Sequence, residues 1–460
     1  MTKLLFIMSV LFFNSCFVFA QNAEKFLESG IVDSKKGNLD EALSFYNKAI
    51  TSNPKFANAY YQRALIYMRR NNLIDAISDC YKAIEIKNDY VDPYMQLAYM
   101  HFRIKQFDKS WENVRKVKEI GGSVDLAFIK ALAKAYIVHG DYCSNHKDFH
   151  QAFFAYNKAI EIDPQSADAY NNRGLLYGAE GDTSHAIADY SKAIEINPKY
   201  SYAYFNRAFA NDNLRNYPQA VIDYTKDIEL NPHDKWAFNN RGNIYSAQGR
   251  LTEALSDYNK AIELNPVYAH AYNNRGGVYH DQGRFSEAIA DFTKAIEMEN
   301  DYVDAYRNRA ISYEAQKEWQ KALEDNSKVI ELNPYKPEPY VNRGTDYYNL
   351  GKYTQAINDL TKAIDIDQSQ PWYYFDRGNA YGKIYNWPLA IADYTKTIEL
   401  DPKNADAYYS RGDIYSIIGG YDKSLSDFNK AIELKPDILK GLPDYSKKVK
   451  ENLQLVKRGE

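Results

Sequence analysis

The apolar and polar positions of this chain repeat with a period of 34 residues over most of its 460 residues. Each period contains two short stretches with the three- and four-residue apolar spacing of an amphipathic helix. In the unit 167–200 these stretches are marked by Tyr170, Gly174 and Tyr177, then by Ala186, Tyr190 and Ala193. A fixed period of this length predicts stacked helical hairpins rather than several unrelated globular domains.

An arginine shows the period most clearly, because it returns every 34 residues in eight successive units: Arg173, Arg207, Arg241, Arg275, Arg309, Arg343, Arg377 and Arg411. Extending this register in both directions gives three leading units over 23–124 and nine trailing units over 133–438. Residues 125–132 interrupt it and would add about two helical turns. The insertion either lengthens one helix or forms a joint between the two groups.

Small residues predict where the two helices of a unit approach most closely. The position of Gly174 holds glycine or alanine in all twelve units, and that of Ala186 holds alanine or, at Ser110 and Ser424, serine. Aromatic residues at the positions of Tyr170, Tyr177 and Tyr190 would fill the remaining space. Prolines are predicted to end the second helix, because they cannot continue one: Pro54, Pro164, Pro198, Pro232, Pro266, Pro334, Pro402 and Pro436.

This pattern resembles the tetratricopeptide repeat family. The family's order of aromatic, small, aromatic, then alanine, aromatic, alanine and proline is met by Tyr170, Gly174, Tyr177, Ala186, Tyr190, Ala193 and Pro198. The resemblance covers residues 23–438. It implies an all-α fold, an α-solenoid of helix–turn–helix repeats that forms a right-handed superhelix with a concave groove for a peptide or partner protein.

Arginine and aspartate occur together in nine units. The arginines are the eight above and Arg63, and the aspartates are Asp79, Asp189, Asp223, Asp257, Asp291, Asp325, Asp359, Asp393 and Asp427. Units 23–56, 91–124 and 133–166 lack both residues. This joint presence and absence predicts a structural ion pair inside each unit, because pairing between successive units would leave partners stranded.

The two ends of the chain differ from the repeats. Lys3, an apolar run and Ala20 are typical of a signal peptide over residues 1–20, so we expect export to the periplasm, the outer-membrane periphery or the cell exterior. A lipoprotein attached through Cys16 is the alternative. No later stretch has the roughly 20 apolar residues of a membrane helix, so no transmembrane segment is expected in the mature chain. Apolar spacing in 439–460 predicts a helix that caps the last unit.

Composition and motifs exclude several classes of function. The net charge of −4 provides no basic excess for nucleic acid. Outside the repeats too little chain remains for a catalytic domain, and no catalytic motif is present, so neither enzyme activity nor a cofactor is expected. Cys143, His146 and His150 are spaced like part of a zinc motif, but the helical register should separate them. Cys80 and Cys143 are expected to be buried free thiols.

Two sets of residues are candidates for binding a partner. The first is a ladder of amides, which either bind an extended peptide or pack within the fold: Asn172, Asn206, Asn240, Asn274, Asn308 and Asn342. The second consists of aromatic residues on the helix face away from the buried seam, which mark an interface unless a flanking helix covers them: Tyr202, Phe205, Phe209, Trp236, Trp372, Phe375 and Tyr409.

These residues predict an exported scaffold for protein–protein interaction. The alternative is binding of a carbohydrate or cell-envelope polymer, since exposed tryptophan and tyrosine also stack on sugar rings. Neither the partner nor the oligomeric state follows from the sequence.

Overall fold

A computed structural model of the chain describes residues 21–438, which are helical with short connections and contain no β-strand. The predicted signal peptide, Cys16 and the predicted capping helix over 439–460 lie outside the described residues. The chain forms two compact units, Met1–Lys226 and Asp227–Glu460. The all-α solenoid fold expected from the repeat is confirmed, because consecutive helical hairpins pack side by side within each unit.

The first compact unit begins with helix α1, residues 21–36. The following helices are α2 (Leu39–Ser52), α3 (Ala57–Arg69), α4 (Leu73–Ile86), α5 (Val91–Arg103), α6 (Phe107–Glu119), α7 (Leu126–Asn145), α8 (Phe149–Ile162), α9 (Ala167–Ala179), α10 (Thr183–Ile196) and α11 (Ser201–Asn213). Helix α12 (Tyr217–Leu230) contains the boundary between the units.

The second compact unit continues with the same alternation of helices. These are α13 (Lys235–Ala247), α14 (Leu251–Leu264), α15 (Ala269–Asp281), α16 (Phe285–Met298), α17 (Val303–Ala315), α18 (Trp319–Leu332), α19 (Glu338–Asn349), α20 (Tyr353–Ile366), α21 (Pro371–Lys383), α22 (Trp387–Leu400), α23 (Ala405–Ile417) and α24 (Tyr421–Leu434). Odd-numbered helices are the first helix of a repeat and even-numbered helices the second.

The two helices of a repeat meet where a small residue faces an aromatic ring. A Cβ atom at Gly174 would lie 2.7 Å from the ring of Tyr190, and one at Gly276 would lie 2.8 Å from the ring of Phe292. Three of the four repeats that have alanine at this position carry a smaller partner: cysteine, valine or asparagine. Ala208 with Tyr224 is the exception. In most repeats the small residue and its partner on the second helix therefore complement each other in size.

The turn between the two helices of each repeat contains one residue in the left-handed conformation. Six repeats use glycine there, as at Gly351 with a φ of 74°, and six use other residues, as at Lys317 with a φ of 60°. Three residues after the first helix of the repeat 167–200, the N–H of Asp182 donates to the carbonyl of Tyr177 at 2.8 Å. This hydrogen bond requires a residue in the left-handed conformation at the turn. For a residue with a side chain, that conformation lowers the stability of the fold by about 1–2 kcal/mol.

The predicted ion pair is present in all nine repeats that carry both residues. In the repeat 269–302, the Nε and Nη2 atoms of Arg275 each donate to one carboxylate oxygen of Asp291 at 2.7 Å. Both side chains are largely buried, with 18% and 9% of their surface exposed. Rings from the same helix flank the guanidinium group, whose carbon lies 5.4 Å from the ring centre of Tyr272 and 5.8 Å from that of Tyr279.

In eight of these repeats the arginine also joins its repeat to the one before it, which sequence reasoning missed. Its Nη1 atom donates to a side-chain oxygen on the second helix of the preceding repeat, at 2.6–3.3 Å: Asn47, Asn157, Ser191, Asn259, Thr293, Ser327, Thr361 and Thr395. Tyr81 and Arg115 occupy this position in the two repeats that precede a repeat without the arginine. That correlation was visible in the sequence.

The insertion 125–132 lengthens a helix. Helix α7 runs without a break from Leu126 to Asn145, and the Asp125 side chain accepts a hydrogen bond from the N–H of Ala127 at 3.1 Å to cap it. Phe128, Ile129 and Leu132 of the added turns are buried. The boundary between the compact units lies far from this segment, within α12.

Replacing Gly351 by alanine is expected to lower the free energy of unfolding by about 1 kcal/mol, because its φ is positive. A Cβ atom there would meet nothing within 4 Å, so the effect comes from the backbone alone. Lys317→Gly at the equivalent turn should instead stabilise the protein by about 0.5 kcal/mol. Urea unfolding measures both changes, and a shift of the same sign for the two variants would contradict this account.

Removing either member of the Arg275–Asp291 pair is expected to cost about 3 kcal/mol, because the remaining charge stays largely buried. A double-mutant cycle with alanine should give a coupling energy of about 2 kcal/mol. The exposed pair Arg284–Glu287 of the same repeat is the control and is expected to show much weaker coupling. Equal coupling energies for the two pairs would refute a structural role for the buried pair.

Candidate partner-binding face

Helix α11 presents an aromatic surface. The side chain of Tyr202 is 65% exposed and that of Phe209 is 49% exposed. Phe205, between them, is half-buried, because its ring packs 5.6 Å from the ring of Tyr224. Tyr202 and Phe209 therefore remain available for contact, whereas Phe205 also supports the fold.

Trp236 on α13 occupies the same repeat position as Tyr202 and is 54% exposed. The ammonium group of Lys235 lies 4.6 Å from its ring centre. Asp234 accepts the N–H groups of Trp236 and Ala237 and so holds the start of this helix. The indole is thus fixed at a helix N-terminus, with one face toward a cation.

The second predicted aromatic cluster is only partly exposed. Trp372 is 42% exposed on α21. Phe375 and Tyr409 are half-buried and pack against rings of the second helix in their own repeats, 5.7 Å from Tyr394 and 5.6 Å from Phe428. Of the three residues expected to be exposed, only Trp372 is exposed. The rings of Phe375 and Tyr409 help to fill the space between helices.

The predicted amide ladder is engaged within the fold. Asn206 donates to the side chain of Asn171 at 2.9 Å, and Asn274 donates to Asn239 and Asn243 at 3.0 and 2.9 Å. Asn172 and Asn308 donate in the same way to Asp141 and Asn273 of the preceding repeat. Asn342 lines a cavity described below, and Asn240 is partly buried. These contacts agree with the packing interpretation, and peptide binding by this ladder stays a prediction.

Carboxylates accompany the aromatic residues of the first compact unit. Asp141 accepts hydrogen bonds from Tyr156 at 2.7 Å and from Asn172 at 2.9 Å. Burial and the nearby carboxylates of Asp168 and Asp141 raise the pKa of Tyr200. Within residues 21–438, neither Asp141 nor Asp168 forms an ion pair. This part of the face thus carries two carboxylates that have no ion-pair partner among residues 21–438.

The cysteine and histidine residues of the repeat 133–166 do not converge. The Cys143 sulfur lies 3.7 Å from the Nε2 atom of His139, while His146 bonds through Nδ1 to the carbonyl oxygen of Tyr142. His150 lies on the next helix and is exposed. No group of three or more metal-binding side chains occurs among the described residues.

The two cysteines of the described chain, Cys80 and Cys143, are buried free thiols, as expected. Burial raises the pKa of Cys80 to about 12. A thiol with such a pKa is an inert core residue rather than a nucleophile.

A buried polar cluster interrupts the apolar core of the second compact unit. The amide of Asn326 donates to Asp346 at 2.8 Å and to Glu314 at 3.3 Å. Asp346 is fully buried, and its second carboxylate oxygen has no hydrogen-bond partner. Burial, and secondarily the charge of Glu314, raise the pKa of Asp346 to about 7. A cavity of about 330 Å³ lined by Asn326 and Asn342 lies beside this cluster.

This cluster also left a signal in the sequence. Asn326 stands at the position where most repeats have tyrosine or phenylalanine, and Asp346 stands where other repeats have residues such as Leu176 or Ile244. Both substitutions break the repeat pattern and lie in contact. Comparing each repeat with the common pattern of the repeats would therefore have identified both residues.

Models of known protein families match several of the repeats in this chain. A family model described as TPR repeat matches residues 32–71, 147–181, 242–283, 276–317 and 344–384. Three models described as tetratricopeptide repeat match residues 167–200 and 303–336, residues 190–222 and 393–426, and residues 57–90. Together the matches cover more than half of the chain. The chain belongs to the tetratricopeptide repeat family. None of the matching models describes a catalytic domain.

Solved structures of tetratricopeptide repeat proteins are similar to parts of this chain or to most of it. A repeat protein from Parabacteroides merdae is 21% identical, with 54% of this chain and 98% of that chain covered and a TM-score of 0.40. The C-terminal part of a repeat protein from Cytophaga hutchinsonii is 19% identical, with coverages of 51% and 97% and a TM-score of 0.46. Yeast Tom70 is 15% identical, with 95% of both chains covered and a TM-score of 0.37.

Comparison with curated protein sequences gives no match. Among the helices within 21–438, none combines the length and the apolar composition needed to cross a bilayer.

Replacing Asp346 by asparagine is expected to stabilise the protein increasingly as the pH rises from about 4 to about 7, and to have little effect below about pH 4. The folded pKa of Asp346 is raised above the unfolded value, so its ionisation at higher pH favours the unfolded chain. A folded pKa of about 7 against 3.8 for the free carboxyl corresponds to a gain on the order of 4 kcal/mol at pH 8.5. Urea unfolding across this pH range measures it, with the exposed Asp365→Asn as control. A gain that is independent of pH would contradict the proposed titration.

Proposed function

We propose that this tetratricopeptide repeat protein is an exported scaffold that holds a partner protein through aromatic residues exposed on the first helices of its repeats. The observation that carries this proposal is the exposure of Tyr202 in the first compact unit and of Trp236 in the second, which occupy the same position of their repeats. Large exposed aromatic side chains at a regular position are typical of interaction sites.

The fold itself does not require an aromatic residue at this position. Four other repeats have aspartate at the equivalent position, which is small, polar and charged: Asp92, Asp168, Asp304 and Asp406. Repeats with aspartate there form the same helical hairpin as repeats with Tyr202 or Trp236. The aromatic side chains therefore serve a role beyond helix packing, and we assign them to contact with a partner.

The charge of the face indicates the chemistry of that partner. Asp141 and Asp168 lie near Tyr200 on the first compact unit without a cation to pair with in the described chain. A segment with lysine or arginine between apolar residues would supply the missing charge and could also place a cation over an aromatic ring. A basic, extended segment of a protein is thus the expected ligand.

Binding of a carbohydrate or an envelope polymer is the second candidate. Exposed Trp236 and Trp372 favour it, because indole rings stack on sugars, and the nearby carboxylates could accept hydrogen bonds from hydroxyl groups. A polymer of neutral sugars would bind with little dependence on salt, whereas a basic segment would bind more weakly as salt increases. Titration at two ionic strengths separates these candidates.

Export to the periplasm, the outer-membrane periphery or the cell exterior is part of the proposal and depends on the sequence pattern of residues 1–20. The alternative attachment through Cys16 belongs to the same test. Fractionation of cells that produce the full chain, a chain lacking residues 1–20 and a Cys16→Ser chain would distinguish secretion, retention and lipid anchoring. Retention of the full chain inside the cell would remove export from the proposal.

Replacing Tyr202 and Trp236 together by alanine is expected to reduce peptide binding at least about tenfold, because exposed aromatic anchors dominate binding energy. The probe is the tightest binder selected from a library of random peptides against the mature chain, measured by fluorescence anisotropy. Thermal stability should change little, since both side chains are more than half exposed.

Ile74→Ala is the control, because Ile74 is 82% exposed on a second helix. Selection of no peptide, or of peptides that bind both variants equally, would refute the role of this face. Enrichment of acidic rather than basic peptides would refute its expected chemistry but leave its role as a binding face intact.

A further inference from the structure

One repeat in the middle of the first compact unit has an uncovered stacking face. The tenth residue of a repeat normally packs against the second helix of the preceding repeat, as Val278 does against Ala254 and Tyr258. This residue is buried in ten repeats: Ile66, Met100, Leu176, Ala210, Ile244, Val278, Ser312, Asp346, Ala380 and Ile414. The exceptions are Val32 in the first repeat, 49% exposed, and Tyr142, 61% exposed. Tyr142 is thus as accessible as a residue at the end of an array.

The insertion explains this exposure. Its added turns place Phe128 and Leu132 in the same buried cluster as Trp111 and Val114 of α6, the surface that a regular repeat would cover with its tenth residue. The hydroxyl group of Tyr136 also donates to the carboxylate of Asp108 on α6. Helix α6 therefore packs along the first half of α7 and leaves the second half uncovered on this side.

The uncovered half of α7 forms one wall of an apolar groove of about 540 Å³. Ala135, Val138 and Tyr142 of α7 line the groove together with Phe107 at the start of α6. Val138 is 58% exposed and Ala135 is partly exposed, whereas the alanine equivalent to Ala135 is fully buried in repeats such as 167–200. An apolar surface built for close packing is thus open to solvent.

We propose that this groove is a second docking site, which receives an amphipathic helix of a partner protein that carries acidic residues beside its apolar stripe. A helix is the expected occupant because a helix covers the equivalent surface in the regular repeats. The small Ala135 position permits the close approach that a helix needs. This site differs from the proposed aromatic face on α11 and does not depend on it.

The charge of the residues that line the groove indicates which kind of helix it would bind. Lys105 and Lys134 line the groove, His139 lies beside them, and no carboxylate is part of the lining. Within residues 21–438, neither lysine forms an ion pair. Acidic residues beside an apolar stripe would pair with these lysines. The chain's own segment 439–460 is a poor occupant, because it contains six lysine or arginine residues against three acidic residues.

The test uses the mature chain and two synthetic helical peptides of about 18 residues, or five turns. Both carry the same leucine and alanine stripe, with glutamate beside it in one peptide and lysine in the other. Fluorescence anisotropy should show at least about tenfold tighter binding of the glutamate peptide. Val138→Glu with Tyr142→Glu should abolish this binding, and Lys105→Glu with Lys134→Glu should reverse the preference between the peptides.

The Tyr202→Ala, Trp236→Ala variant is the matched control and should bind the glutamate peptide like the unmodified chain. Circular dichroism should show unchanged helix content and melting for the groove variants, since the changed apolar side chains are exposed. The proposal is overturned if neither peptide binds, if both bind equally, if the groove variants keep full binding, or if the control variant loses it.

Discussion

The close approach of two helices at one small residue is the constraint on which each repeat depends. At Gly174 there is no room for a methyl group beside the ring of Tyr190, and the same contact recurs at Gly276 with Phe292. It is found even at Gly30 and Gly140, in repeats that lack the arginine–aspartate pair. The ion pair is therefore an addition to a hairpin whose geometry is already determined by volume.

The arginine adds order between repeats. Its fork holds the aspartate of its own repeat, and its third nitrogen holds a polar side chain of the preceding repeat, as at Arg173 with Asp189 and Asn157. A lysine could satisfy only part of this geometry, because it is a single point charge. Side-chain volume thus determines how the two helices of a repeat pack, and directed hydrogen bonds align one repeat with the next.

Because these contacts account for the regular positions, departures from the pattern are informative. Tyr202 and Trp236 place large aromatic side chains at an exposed position where most repeats have a polar residue. Asn326 and Asp346 place polar groups in the core, and the segment 125–132 uncovers one helix face. A regular position needs only to pack. A departure from the pattern exposes or buries a group that helix packing does not require, so these places are the candidates for binding and for a response to pH.

The sequence by itself determined the helical hairpins, their register and the nine ion pairs, since each follows from residue size or charge at a fixed spacing. It could not show that Phe375 and Tyr409 help to fill the core, or that Asn206 and Asn274 bond to the preceding repeat. It also left open whether 125–132 lengthens a helix. Only the tertiary structure decided these points, because the exposure of a side chain depends on which neighbouring helix covers it. That neighbour lies a whole repeat away along the chain, beyond the reach of local periodicity.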